Sequence, residues 1–380
     1  MSKFKTSIFT EMAQHKQQKI SEGKEMFDLS IGSPDLPPPP FVLEELMSAV
    51  QQRNHYGYTL KGTSEFNEAV AHFYKRRYTV DLDENREVVQ LSGSQEGLVH
   101  LPLVLVNPGD LVLLPNPCYP AYQTGADLAN ANVYYMPLEK KNNFLPNLQA
   151  IPIEVAQKAK IMFLNFPGNP VPALPTKQFF KDVVEFAKKN NIIVVHDFAY
   201  SELNFSGEKP LSFLSIPGAK EVGVEFNSLS KSFNMAGCRI AYVVGNEHVI
   251  QALSKLKSNL DFGVFLPIQC AATKALNEGD SFLKENALFY KERRNVLVDG
   301  LNTIGWKLEK PLATMFIWAP IPNGVTSLQF TLKLMDKAGV VVTPGSAFGA
   351  YGEGYVRIGL VESEANLELV VQKIDEAKLF

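Results

Sequence analysis

Seven short apolar runs in the middle of the chain constrain its fold more than any other feature. They cover residues 88–91, 111–114, 133–137, 161–165, 192–196, 222–226 and 240–244. Several are apolar at every position rather than at alternate ones, the pattern of parallel strands covered on both faces. Helix-period segments such as 94–105 and 176–190 lie between some of them. Strand and helix in alternation predict a doubly wound α/β unit. At 380 residues the chain exceeds what one simple core accommodates, so a second, smaller unit is expected. After residue 280 a long helical run leads to 306–308 and 315–319, an α+β pattern whose expected partner is the N-terminal segment.

The expected division is therefore an arm at 1–45, belonging in part to the small domain, a large domain at 46–280 and a small C-terminal domain at 281–380. Within the arm, a short helix and a small strand at 26–29 precede the proline-rich stretch 32–40. Proline cannot continue a helix or a central strand, so that stretch reads as a stiff crossing segment. Ser64 is expected to start a long amphipathic helix, with Asn67 at the position that reaches back to the cap.

The net charge is −3 and the basic residues are scattered, which argues against nucleic acid or an anionic membrane as partner. Cys118, Cys238 and Cys270 form no C-x-x-C pair and no disulfide framework, and no metal site is expected. Residues 1–20 lack the apolar core of a signal peptide, and no apolar run is long enough to span a bilayer. A cytoplasmic location is expected.

In open α/β sheets, ligands bind beyond the carboxyl ends of the strands. Chemistry-bearing residues fall there repeatedly. Lys231 follows the sixth run, accompanied by Ser228, Ser230 and Arg239. A lysine can form a Schiff base where its surroundings keep part of its amine deprotonated. Hydroxyls and a planar, permanently charged guanidinium suit a phosphate. Together they describe a site for an aldehyde that carries a phosphate, pyridoxal 5'-phosphate. Taken alone, the stretch also reads as a Ser/Asn-rich loop with a solvated lysine.

The other strand ends add to this. Residues 92–97, including Ser94 and Gln95, end the first run and open a helix, a backbone nest suited to phosphate. Asp197 ends the fifth run; an aspartate there can hold a pyridine nitrogen protonated, or simply cap a helix. Tyr200 and Asn169 can each bond a phenolic oxygen, and Tyr119 can stack on a flat ring. Arg357 sits in an otherwise apolar strand, which calls for a carboxylate from the protein or from a substrate.

In this order the segments resemble the fold-type I, class I/II aminotransferases over nearly the whole chain. SLSKSFNMAGCR is similar to the family's cofactor-lysine signature, NFPGNP to its N-P-x-N-P turn, HDFAY to its Asp-x-x-Tyr element and YVRIGL to its carboxylate-binding arginine. Within the family the likeness is to the branch holding LL-diaminopimelate and methionine-type aminotransferases. The resemblance implies a PLP-dependent transferase-like fold with a seven-stranded, mainly parallel sheet. It implies Lys231 as the Schiff-base lysine, Asp197 on the pyridine nitrogen, Tyr200 and Asn169 on the ring oxygen, and Tyr119 stacked on the ring. Ser94, Gln95, Ser228, Ser230 and Arg239 match the phosphate cup. Arg357, with Gly32 and Asn169, matches the grip on the substrate α-carboxylate. The family is dimeric, and Tyr58 or Tyr56 matches a tyrosine that crosses to the neighbour's phosphate.

There are departures. Val171-Pro172-Ala173 stands where the family has Thr-Gly, Cys238 where a bulky residue is usual, and Pro311-Leu312-Ala313-Thr314 where Pro-x-Gly is frequent. The implied activity is ping-pong transfer of an amino group between an L-amino acid and a 2-oxo acid. A carbon–sulfur β-lyase on the same scaffold is the alternative, since fold does not select the reaction. A non-catalytic PLP-binding regulator is a third reading, but it needs a DNA-binding module for which the chain has no spare segment. Arg53, Arg76, Arg77, Arg86, Arg293 and Arg294 lie outside these stretches, while Phe262, Phe265 and Leu266 form an apolar loop near the family's substrate entrance. Neutral donors such as methionine, leucine or an aromatic amino acid are therefore expected over aspartate.

Overall fold

The structure, a computed structural model, describes residues 8–380. The extreme N-terminus of the expected arm, residues 1–7, lies outside the described residues. The chain enters through a helix, Ile8–Ser21, and a two-residue strand, β1 (Phe27–Asp28). The apolar runs become β2 (Val88–Leu91), β3 (Leu111–Asn116), β4 (Asn132–Pro137), β5 (Ala159–Leu164), β6 (Ile193–Asp197), β7 (Gly223–Ser228) and β8 (Ala241–Gly245). They form one seven-stranded sheet in the order β2-β8-β7-β6-β5-β3-β4. β8 is antiparallel to both neighbours and the remaining pairs are parallel.

Successive strand side chains point to opposite faces, so strands with no polar position must be covered on both. On one face Met162, Leu164 and Val194 pack with Phe180 and Val183 of the helix Lys177–Asn190. On the other, Phe163, Val195 and Val224 pack with Leu98 and Leu101 of the helix Ser94–Leu105.

The later chain forms β9 (Phe316–Pro320), β10 (Val340–Val341), β11 (Thr343–Pro344) and β12 (Tyr355–Gly359). β11, β12 and β9 make an antiparallel sheet, and β10 pairs in parallel with β1. Phe27 and Leu29 thereby join a further core with Trp306, Phe316, Leu334 and Val356.

Three local expectations are corrected. The helix Ser64–Tyr78 is capped by Thr63, whose hydroxyl accepts from Phe66 N at 3.1 Å. The reach-back position is then Phe66, not Asn67, whose Oδ1 is buried without a partner. Residues 306–308 are not a strand: the Trp306 indole donates to Pro320 O at 2.7 Å and Leu308 N to Asn302 Oδ1 at 2.9 Å. The lead-in to β7 is a helical turn, Ala219–Val222, so the strand runs from Gly223 through to Ser228. Among the described residues, no helix is long and apolar enough to cross a membrane.

Candidate active site

The carboxyl ends of β5, β6 and β7, the start of the helix Ser94–Leu105 and the segments around Gly32 and Arg357 converge on one cavity of ≈ 620 Å³. Every site residue singled out from the sequence lines it except Tyr58 and its alternative, Tyr56. Tyr58 is 87 % exposed and lies outside, its ring 4.9 Å from that of Phe262. Tyr56 is also exposed, and its hydroxyl donates to Val50 O at 2.8 Å.

Lys231 sits in the short helical turn Leu229–Ser232 that follows β7 without a break. Its Nζ donates to the carbonyl oxygen of Gly32, in the crossing segment, and lies 5.9 Å from the centroid of the Tyr200 ring. Burial, seconded by the positive charges of Arg357 and Arg239, lowers its pKa to about 8, while Asp197 opposes the shift. The crossing segment is tied down by Arg293, which donates to both carboxylate oxygens of Asp35 at 2.7 Å and to Leu360 O at 2.9 Å.

Asp197 is the last residue of β6 and is buried. Burial pushes its carboxyl pKa up, against the Tyr122 hydroxyl donating to Oδ2 at 2.7 Å and Ala199 N donating to Oδ1 at 3.3 Å. Tyr122 was not legible as a site residue. The signal was present: it stands three residues after Tyr119, in the first turn of the helix Pro120–Leu128 that Tyr119 precedes. Asn165 was also missed; its Nδ2 donates to Asp197 O at 2.7 Å and its Oδ1 accepts from Asn169 N at 2.8 Å.

Arg357 is nearly enclosed. Nη1 donates to Asn169 Oδ1 at 2.7 Å, and Nη2 to Ser30 O at 2.6 Å and Thr343 Oγ1 at 3.3 Å. The guanidinium lies between aromatic rings, 4.3 Å from the Phe316 centroid and 4.9 Å from that of Phe348. Burial lowers its pKa to about 10, which still leaves it charged at neutral pH. Its Nε is buried with no hydrogen-bond partner among the described residues. Gly32 lies against it: a Cβ there would sit 3.7 Å from Nη1.

A second anion-seeking group lies at the start of the helix Ser94–Leu105. Gly93 precedes it at φ +86, and a Cβ there would collide with the Arg239 guanidinium. Only glycine combines that backbone with that approach. Arg239 donates to a single acceptor among the described residues, Ala236 O at 3.2 Å. The hydroxyls of Ser94 and Ser230 have no hydrogen-bond partner there, and Ser228 Oγ accepts from Ser230 N at 3.1 Å. The Tyr119 hydroxyl donates to Gln95 Oε1 at 2.8 Å.

This donor set fits pyridoxal 5'-phosphate. Hydroxyls, a helix N-terminus and one under-used guanidinium suit its phosphate. A buried carboxylate suits its pyridine nitrogen, and an amine close to neutral suits its aldehyde. The sequence model described as "Aminotransferase class I and II" matches residues 24–374. The chain is 47% identical over 363 residues to the LL-diaminopimelate aminotransferase of Moorella thermoacetica, covering 94% of this chain and 93% of that one. It is 44% identical to the enzyme of the same name from Aquifex aeolicus, covering 98% and 96%. Among solved structures it is similar to substrate-bound BacF of Bacillus subtilis, with a TM-score of 0.95 and 40% identity over 99% of this chain and 96% of that one. A probable N-succinyldiaminopimelate aminotransferase of Thermus thermophilus superposes with a TM-score of 0.93 at 38% identity, covering 98% and 100%. A site built for a phosphorylated aldehyde, on a chain matched nearly end to end by such relatives, has one reading: the chain belongs to the class I and II aminotransferases, which depend on pyridoxal 5'-phosphate.

Proposed function

We propose that this aminotransferase works through the residues of the cavity in the following roles. Lys231 holds the cofactor and moves the substrate proton; Arg357, with Asn169 and Gly32, grips the α-carboxylate. Ser94, Gln95, Ser228, Ser230 and Arg239 hold the phosphate, Tyr119 packs on the ring, and Tyr200 and Asn169 donate to its phenolic oxygen. When bound, pyridoxal 5'-phosphate supplies an aldehyde that condenses with amines and a protonated pyridine ring that draws electrons from the adjoining carbon. Asp197 would stand against that ring nitrogen as a buried negative charge. The Lys231 amine, once free, accepts the α-proton at Nζ and returns it, which requires the neutral form that burial favours. Arg357 fixes the orientation in which that proton points at Nζ. Asn169 serves two partners, because Oδ1 turned to Arg357 leaves Nδ2 as a donor. The observation that carries this reading is the buried Lys231 amine in one cavity with Asp197, Arg239 and Arg357.

The same reading extends to assembly and substrate. Tyr58, Leu60 and Phe262 are exposed apolar residues, which supports a homodimer whose tyrosine completes the neighbour's phosphate cup. Light scattering should then give about twice the chain mass of 42.2 kDa. The division into 1–45, 46–280 and 281–380 is supported by the pairing of β1 with β10, and a cytoplasmic location by composition alone.

For the amino donor, we infer an uncharged side chain. Among the described residues, Lys231, Arg239 and Arg357 are the cations that line the cavity, and each has a role that leaves none for a distal carboxylate. Relatives at 44–47% identity are named LL-diaminopimelate aminotransferases, which favours a diamino diacid as the second reading. Donors compared by kcat/KM with saturating 2-oxoglutarate decide between them. Methionine, leucine or an aromatic donor in the lead supports the first; diaminopimelate or aspartate in the lead overturns it. Pyruvate release from cystathionine without any oxo acid would instead point to the lyase reaction.

A further inference from the structure

Beneath the strand ends that carry Asp197 and Lys231 lies a buried polar pair for which the roles above have no use. His196 on β6 and Glu225 on β7 are cross-strand partners, and both side chains are fully enclosed. His196 Nδ1 lies 2.9 Å from Glu225 Oε2, and Nε2 lies 3.0 Å from the carbonyl oxygen of Phe166. A carbonyl oxygen only accepts, so Nε2 carries a hydrogen. Glu225 already accepts from the hydroxyls of Tyr74 at 3.0 Å and Ser212 at 2.8 Å, and from Phe213 N at 2.8 Å. Such a set of donors belongs to an ionised carboxylate, so Nδ1 carries a hydrogen as well. A ring with both nitrogens protonated is an imidazolium.

A charge this deep is tolerable only when paired and fully hydrogen-bonded, as it is here. The rings of Phe180, Phe198 and Phe213 surround the imidazole at 5.2, 5.1 and 6.3 Å. The titratable groups facing the pair are Tyr74 from the helix Ser64–Tyr78, Tyr242 from β8 and Asp197 on the histidine's own strand. Two links lead from the pair to the site. Phe166 follows Asn165, which binds both Asp197 O and Asn169 N, and Asn169 in turn binds Arg357. Asp197 directly follows His196, its side chain on the opposite face of the sheet, and the positive charge of the ring opposes the upward push that burial exerts on its carboxyl.

We propose that His196 and Glu225 form a buried imidazolium–carboxylate pair that positions the reaction: it fixes the Asn165–Pro170 turn through Phe166 O and keeps Asp197 ionised toward the cofactor ring. This rests on the role given to Asp197 above, but the first measurement does not. The enzyme labelled with 15N-histidine, with and without cofactor, should show protons on both ring nitrogens of His196 at neutral pH. The signal is assigned by its loss in His196→Gln. A bare Nδ1 or Nε2 overturns the proposal whether or not that variant is active.

The second measurement asks whether the charge matters to the site. His196→Gln/Glu225→Gln keeps hydrogen-bonding groups but removes both charges, and Glu225→Gln alone is read the same way. We expect kcat to fall about tenfold or more with donor KM little changed, as for a lost preorganised charge. The pH at which the bound cofactor changes its visible absorbance should also move. Wild-type kcat and an unmoved absorbance transition in a folded variant mean that the pair serves stability alone, which overturns the positioning role. Wild-type turnover in Asp197→Asn would instead remove the underlying assignment and leave the protonation result standing.

Discussion

Arg357 donates through Nη1 to Asn169 Oδ1 at 2.7 Å, although 188 residues separate them in the chain. The contact joins the second sheet to the turn beyond β5, and it preorganises a guanidinium whose buried Nε is still without a partner among the described residues. In the role proposed for Arg357, a substrate carboxylate would meet a fork already aimed and already buried.

The geometry predicts that Arg357→Lys is not conservative. A lysine offers a point charge where a planar fork is held between Phe316 and Phe348. Amino-donor kcat/KM should fall on the order of 10²-fold, mostly through KM, with cofactor content unchanged. A change within about twofold would show that the carboxylate is bound elsewhere.

Lys231→Ala should abolish the borohydride-reducible link to the cofactor and nearly all turnover, because no other lysine among the described residues lines the cavity. Free pyridoxal 5'-phosphate can still bind through the phosphate contacts. Peptide mapping of the reduced wild-type protein is the check, and label on a different lysine would contradict the assignment.

The pKa of about 8 at Lys231 sets a pH dependence for cofactor capture by the cofactor-free enzyme. The conjugate acid is the unreactive form, so capture should slow as pH falls below about 8 and level off above it. At pH 7 the neutral amine should be about 300-fold more abundant than for a lysine of ordinary pKa, by the logarithmic scale of protonation. A capture rate still climbing beyond pH 10 would be that of an ordinary exposed lysine.

Asp197→Asn keeps the shape and the Tyr122 contact but removes the buried charge. The charge acts where the ring takes up electrons, so kcat should fall on the order of 10²-fold or more while donor KM moves little. Near-normal kcat would leave Asp197 as a cap for the turn through Ala199.

The sequence by itself determined which segments are sheet and where the chemistry sits along them. Runs such as Ile161–Leu164 and Val194–Val195 have no polar position, and such strands are stable only when covered on both faces. Lys231, Asp197 and the Gly93–Ser94 turn each stand at the end of one of the seven runs, which is a local property and can be read locally. The cap at Thr63 was misplaced by one residue because Ser64 and Thr63 are both good caps, and only backbone geometry chooses between them. Tertiary structure alone decided the strand order, the reversal of β8, the carbonyl that meets Lys231 and the partners of Arg357. These depend on segments hundreds of residues apart, about which spacing says nothing. Burial is likewise a property of the assembled chain, and it is burial that brings the Lys231 amine near neutrality.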